Sequence, residues 1–130
     1  MAHPLSTIYL ALTAIFFLGS GAYALSKPRE FAAALDLTIA RAGGVNEVRA
    51  QYGGFFLALS LALALAAFGA VERRFGLGAA AITFGGVIAG RLLGLLFDRG
   101  AAGYGPTIRA LFLIDAAGCA VAIAALMLEA

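Results

Sequence analysis

GGFFLALSLALALAAFGAV, residues 53–71, contains no charged residue. An α-helix rises about 1.5 Å per residue, and the hydrocarbon core of a bilayer is about 30 Å thick, so roughly 20 mostly apolar residues span it. The stretch reads as the body of a membrane span, with Asn46 upstream as its N-cap. Three other parts of the chain have the same texture. Residues 8–25 are uncharged, residues 76–97 are interrupted only by Arg91, and residues 107–128 only by Arg109 and Asp115. Pro4 and Pro106 stand where a first helical turn tolerates proline. Four spans are therefore expected, at about 5–25, 46–71, 76–97 and 107–128. No run alternates polar and apolar residues with period two, so a β-barrel is not supported.

Composition agrees. Of 130 residues, 63% are hydrophobic and 12% charged, whereas soluble domains are about half apolar and a quarter charged. There is too little polar surface to cover a soluble globule, which argues against a soluble enzyme, a disordered tail or a nucleic-acid binder. Cys119 is the one cysteine and His3 the one histidine. No intrachain disulfide, cysteine metal cluster or bis-histidine haem site is available, so no metal and no cofactor is expected. Cys119 reads as small apolar filler and His3 as a surface residue. Ala22-Tyr23-Ala24 resembles a signal-peptidase site, but no Lys or Arg precedes it, and residues 5–25 are read as a retained span.

The connections differ in character. Glu72-Arg73-Arg74-Phe75 reads as a tight polar turn joining spans two and three. Between spans one and two, Phe31, Leu35, Thr38, Ile39 and Ala42 recur at helical spacing, with Arg29, Asp36 and Arg41 largely elsewhere. That pattern predicts a short amphipathic helix in the interface, ended by Gly43-Gly44. Residues 98–106 form a glycine-rich loop. The expected architecture is a single all-α membrane domain, a four-transmembrane-helix bundle with an interfacial helix between spans one and two. The distribution of Lys and Arg leans towards placing the first and third connections in the cytoplasm.

Gly86, Gly90 and Gly94 recur every four residues on span three. In lipid such a stripe lets backbones approach closely. Packing inside the bundle is the expected use, with self-association or docking on another membrane subunit as the alternative.

The polar residues are one-sided. Span two opens Asn46-Glu47-Val48-Arg49-Ala50-Gln51-Tyr52, span three ends with Arg91 and Asp98, and span four begins with Arg109 and Asp115. All lie towards one leaflet, with Arg91 and Asp115 about 10 Å below its surface. Charges at that depth cost several kcal/mol unless paired or hydrated. Arg91, Gly94, Leu95 and Asp98 share a face. In a regular helix Arg49 and Tyr52 share one face, and Glu47 and Gln51 roughly the opposite one. Arg49, Tyr52, Arg91 and Asp115 are expected to form an inner group, with Glu47 instead capping or pairing with loop residues such as Arg41. The bland reading is an Arg91–Asp115 ion pair joining spans three and four. The functional reading is a polar pocket, with spare positive charge suited to a carboxylate, phosphate or polarised carbonyl.

The run Asn46-Glu47-Val48-Arg49-Ala50-Gln51-Tyr52-Gly53-Gly54, followed by Gly90-Arg91 and Asp98-Arg99-Gly100, resembles the bacterial family of four-span membrane proteins labelled DUF4345, over most of the chain. The resemblance implies the four-span fold and an acidic residue on helix four, matched by Asp115 with a side chain shorter than glutamate's. It implies no substrate. The function expected is binding of a lipid- or quinone-like anionic or carbonyl ligand by Arg49, Tyr52, Arg91 and Asp115, with Glu47, Gln51, Asp98 and Arg109 as further candidates. Two alternatives stand beside it. One is a membrane isomerase or oxidoreductase using Asp115 or Glu47 with Tyr52. The other is an accessory subunit docking through the glycine stripe. The expected partners are membrane lipids, a lipophilic small molecule, or another membrane chain.

Overall fold

The computed structural model describes residues 3–100 and 102–129. Four long helices, α1 (Pro4–Ser26), α3 (Ala42–Ala67), α4 (Arg73–Phe97) and α5 (Pro106–Leu128), are each long and apolar enough to cross a membrane. A short helix, α2 (Pro28–Ala34), follows α1. No strand occurs among the described residues. The protein is an all-α integral membrane bundle.

Helix ends follow local chemistry. Pro4 and Pro106 occupy first-turn positions of α1 and α5, where a missing N–H costs no hydrogen bond. Three C-termini close by a left-handed residue whose neighbours bond back to orphan carbonyls. At α2 the residue is Asp36 (φ 59°), with Leu37 N–H on Ala32 C=O and Asp36 N–H on Ala33 C=O. At α3 it is Gly69 (φ 77°), with Ala70 N–H on Leu65 C=O, and at α4 it is Arg99 (φ 56°), with Gly100 N–H on Leu95 C=O.

These closures correct three expectations. The interfacial helix stops at Ala34 rather than running to Gly43, because Asp36 turns left-handed and the chain then extends through residues 37–40. Arg29 Nη1 holds that extended return by donating to Ile39 C=O at 3.0 Å. Phe31, Leu35 and Ile39 still turn inward, while Thr38 and Ala42 are exposed. Gly43 and Gly44 do not end a helix; they lie in the first turn of α3, whose N-cap is Arg41 rather than Asn46. The turn after α3 is residues 68–72, and Arg73, Arg74 and Phe75 already belong to α4.

The bundle consists of two closely packed pairs, α1 with α3 and α4 with α5. The apolar core joining them gathers Leu10, Ala14 and Phe17, Leu63, Ala66 and Ala67, Leu77, Ala80 and Phe84, and Ala122 and Ala125. These residues lie towards the membrane face that carries both chain ends, where His3 N–H donates to Glu129 Oε1 at 3.1 Å. The core is rich in alanine because lipid supplies no hydrophobic drive between helices, and close backbone approach has to replace it. A side chain at Gly76 would run into the Ala66 methyl. Two hydroxyls add hydrogen bonds across helices: Ser60 Oγ to Ala14 C=O at 2.7 Å and Tyr9 OH to Gly118 C=O at 2.7 Å.

The glycine stripe plays no part in this packing. A methyl at Gly86 or Gly90 would meet nothing within 4 Å, and one at Gly94 only the Tyr104 hydroxyl, at 3.5 Å. The expected packing inside the bundle is thus not made by this face. The close approaches between the long helices fall at Gly21, Gly53, Gly76 and Gly118 instead.

Candidate functional site

At the opposite membrane face the polar residues separate into two groups. The first joins α4 and α5. Arg91 Nε donates to Asp115 Oδ2 at 2.7 Å, with the side chains 23% and 9% exposed. The Arg91 guanidinium also lies 5.6 Å from the centre of the Phe112 ring, within cation–π range. Tyr104 stacks on Phe112, with the ring centres 6.1 Å apart. Its hydroxyl donates to Asp98, and Arg109 Nε donates to its backbone carbonyl at 3.0 Å. The Asp98 bond raises the Tyr104 pKa above its ordinary value of 10.0, because the carboxylate favours the protonated phenol.

The second group lies where α1 ends and α3 begins. Residues Arg49–Gly54 of α3 form a π turn, in which Phe55 N–H reaches back five residues to Ala50 C=O. Such wide turns occur frequently at functional sites. Gly53 lets it pass close to α1, since a Cβ there would lie 2.6 Å from the Leu25 side chain. Arg49 Nε donates to Leu25 C=O at 3.2 Å. Tyr52 packs its ring between Phe31 (5.2 Å) and Phe56 (5.7 Å). A groove of about 300 Å³ opens beside Arg49, walled by residues 26–30 and Val45. Lys27, Arg29 and Arg49 line it, and its one carboxylate, Glu30, is 3.3 Å from Lys27 Nζ.

The expected inner group is therefore divided. Arg91 and Asp115 contact each other, as the ion-pair reading has it. Among the described residues no hydrogen bond or ion pair links them to Arg49 or Tyr52. The reason is the pairing of helices: Arg49 and Tyr52 ride on the α1–α3 pair, Arg91 and Asp115 on the α4–α5 pair. Glu47 and Gln51 are exposed, and Glu47 makes no ion pair with Arg41.

Five participants are not among the site residues singled out from the sequence: Phe112 and Tyr104 in the first group, and Lys27, Arg29 and Asp36. Lys27 and Arg29 reach the groove because α2 folds back at Pro28. Asp36 accepts Gly105 N–H at 3.1 Å, which places its carboxylate at the start of α5 and ties the two helix pairs together. A polar residue inside the amphipathic stretch was the only sign of it.

The family described as a domain of unknown function, DUF4345, matches residues 5–126. The chain belongs to the DUF4345 family. Neither the curated proteins nor the solved structures give a match. The DUF4345 match covers all four spans, the π turn, and both polar groups.

Proposed function

We propose that this chain is a small binding protein of a bacterial inner membrane. It holds the anionic group of a lipid- or quinone-like molecule, a phosphate or carboxylate, in the groove between the end of α1, α2 and the start of α3. The observation that carries this reading is the charge of the groove. Three cations, Lys27, Arg29 and Arg49, face one carboxylate that Lys27 already engages. Arg49 and Arg29 each use one nitrogen on a backbone carbonyl. That anchors each guanidinium and leaves other N–H donors of its planar fork for an anion. The groove lies where an apolar span ends, at the depth of lipid headgroups. Charge-assisted hydrogen bonds there are stronger than in bulk water.

The Arg91–Asp115 pair is assigned a joining role between α4 and α5. Acid–base catalysis would need Asp115 or Glu47 beside Tyr52, but Asp115 sits on the other helix pair, and Glu47 is exposed while the Tyr52 ring packs between Phe31 and Phe56. Binding is for that reason favoured over catalysis.

The test is native mass spectrometry of the full chain from nanodiscs containing phosphatidylglycerol and phosphatidylcholine. Preferential retention of the anionic lipid, lost in Arg49→Ala and Arg29→Ala but kept in Arg91→Leu, supports the reading. Equal retention of both lipids by the wild type refutes it.

A further inference from the structure

A second concavity, unrelated to the cationic groove, lies at mid-span between the two helix pairs. Its walls are Leu12 and Phe16 of α1 and Ile114 and Val121 of α5, and Phe84 and Gly118 form its floor. Gly118 lets α5 come close to the Phe84 ring: a Cβ there would lie 2.9 Å from it. The volume is about 270 Å³. We infer that this slot binds a single hydrocarbon chain of a membrane lipid, held between α1 and α5.

Depth, lining and size each support that occupant. The wall residues lie near the middle of α1 and α5, so hydrocarbon, and not headgroup or water, is what reaches the slot. The lining is apolar except for two hydroxyls. The Tyr9 hydroxyl is engaged by Gly118 C=O at 2.7 Å, and Thr13 is buried. No polar ligand group is therefore called for. The volume takes a stretch of one hydrocarbon chain, whereas a helix about 10 Å across could put only side chains into it. Surrounding lipid is as apolar as the slot, so the gain over the bulk bilayer comes from packing against the rings of Phe16 and Phe84 and not from leaving water.

The test uses a neutral lipid, so that failure of the headgroup reading leaves it intact. The full chain is reconstituted in dioleoylphosphatidylcholine nanodiscs, released into mild detergent, and its retained lipids are counted by native mass spectrometry. Ala117→Phe places a ring in the slot from an exposed position on its rim, and Leu12→Ala removes a wall. Ile82→Phe, on the exposed face of α4, serves as control. The wild type and the control keep one lipid more than Ala117→Phe, in which retention falls about ten-fold, equivalent to 1.4 kcal/mol; Leu12→Ala falls in between. Equal retention in wild type and Ala117→Phe overturns the inference. So does a wild-type dimer that Ala117→Phe disperses, which would give the slot to a second protein chain.

Discussion

Removing one partner of the Arg91–Asp115 pair gives the sharpest test of the energetics. Breaking a buried pair from one side costs about 3–5 kcal/mol, because the remaining charge is left without compensation. Here the Arg91 side chain is 23% exposed, and a long arginine can reach towards the interface. The expectation is therefore about 2–4 kcal/mol for Asp115→Leu and a similar loss for Arg91→Leu. The double variant removes both charges and the need for pairing, so it should lie within about 1 kcal/mol of the wild type. The assay is reversible unfolding of the purified chain in mixed micelles, with all four proteins compared as a double-mutant cycle. If both single variants unfold like the wild type, or if the double loss equals the sum of the singles, the pair does not join α4 to α5 energetically.

Other consequences can be measured in the same system. Asp36→Ala should lose about 1–2 kcal/mol, from the bond to Gly105 N–H and from alanine's poorer fit to the left-handed conformation at φ 59°; Asp36→Asn should recover most of it, and equal stability of the two would refute the account. Gly86→Ala and Gly90→Ala should be neutral or stabilising by up to about 1 kcal/mol, because nothing lies beside them, whereas Gly76→Val should destabilise strongly by colliding with Ala66. A large loss at Gly86 or Gly90 would mean that another chain covers that face. Tyr104 should titrate above its ordinary value of 10.0 because its hydroxyl donates a hydrogen bond to the Asp98 carboxylate, which favours the protonated phenol. The Tyr104–Asp98 contribution is therefore complete below that ordinary value and is lost as pH rises through the raised one. Asp98→Asn should bring the phenolate absorbance transition down, and an unchanged titration would show that the bond does not form.

Hydropathy and proline placement made the spans legible. The uncharged run at 53–71 lies mostly inside α3, and Pro4 and Pro106 begin α1 and α5. Boundaries failed where one backbone angle decided them. Nothing in the apolar spacing of Phe31, Leu35 and Ile39 reveals that Asp36 turns left-handed and ends α2. The site was legible in depth but not in partnership. Charge position along each span placed Arg49, Arg91 and Asp115 towards one leaflet. Which helices pair depends on small-residue contacts such as Gly21 with Gly53 and Gly118 with Phe84, and these have no distinctive periodicity. The Gly86, Gly90 and Gly94 stripe had the periodicity without the contact.

The π turn at Arg49–Gly54 amounts to one residue more than a continuous α-helix would hold over the same height. Each residue of an α-helix advances about 100° around the axis. Taking one residue out of this turn would let α3 close into regular helix while Val48 and Ser60 keep their present facing. Taking one out further along, between Leu57 and Ser60, would instead swing the rest of the span by that angle and carry Ser60 away from Ala14. Related sequences that differ by a single residue in span two should therefore place the difference here, and the turn is the natural point at which to alter the groove without disturbing the core.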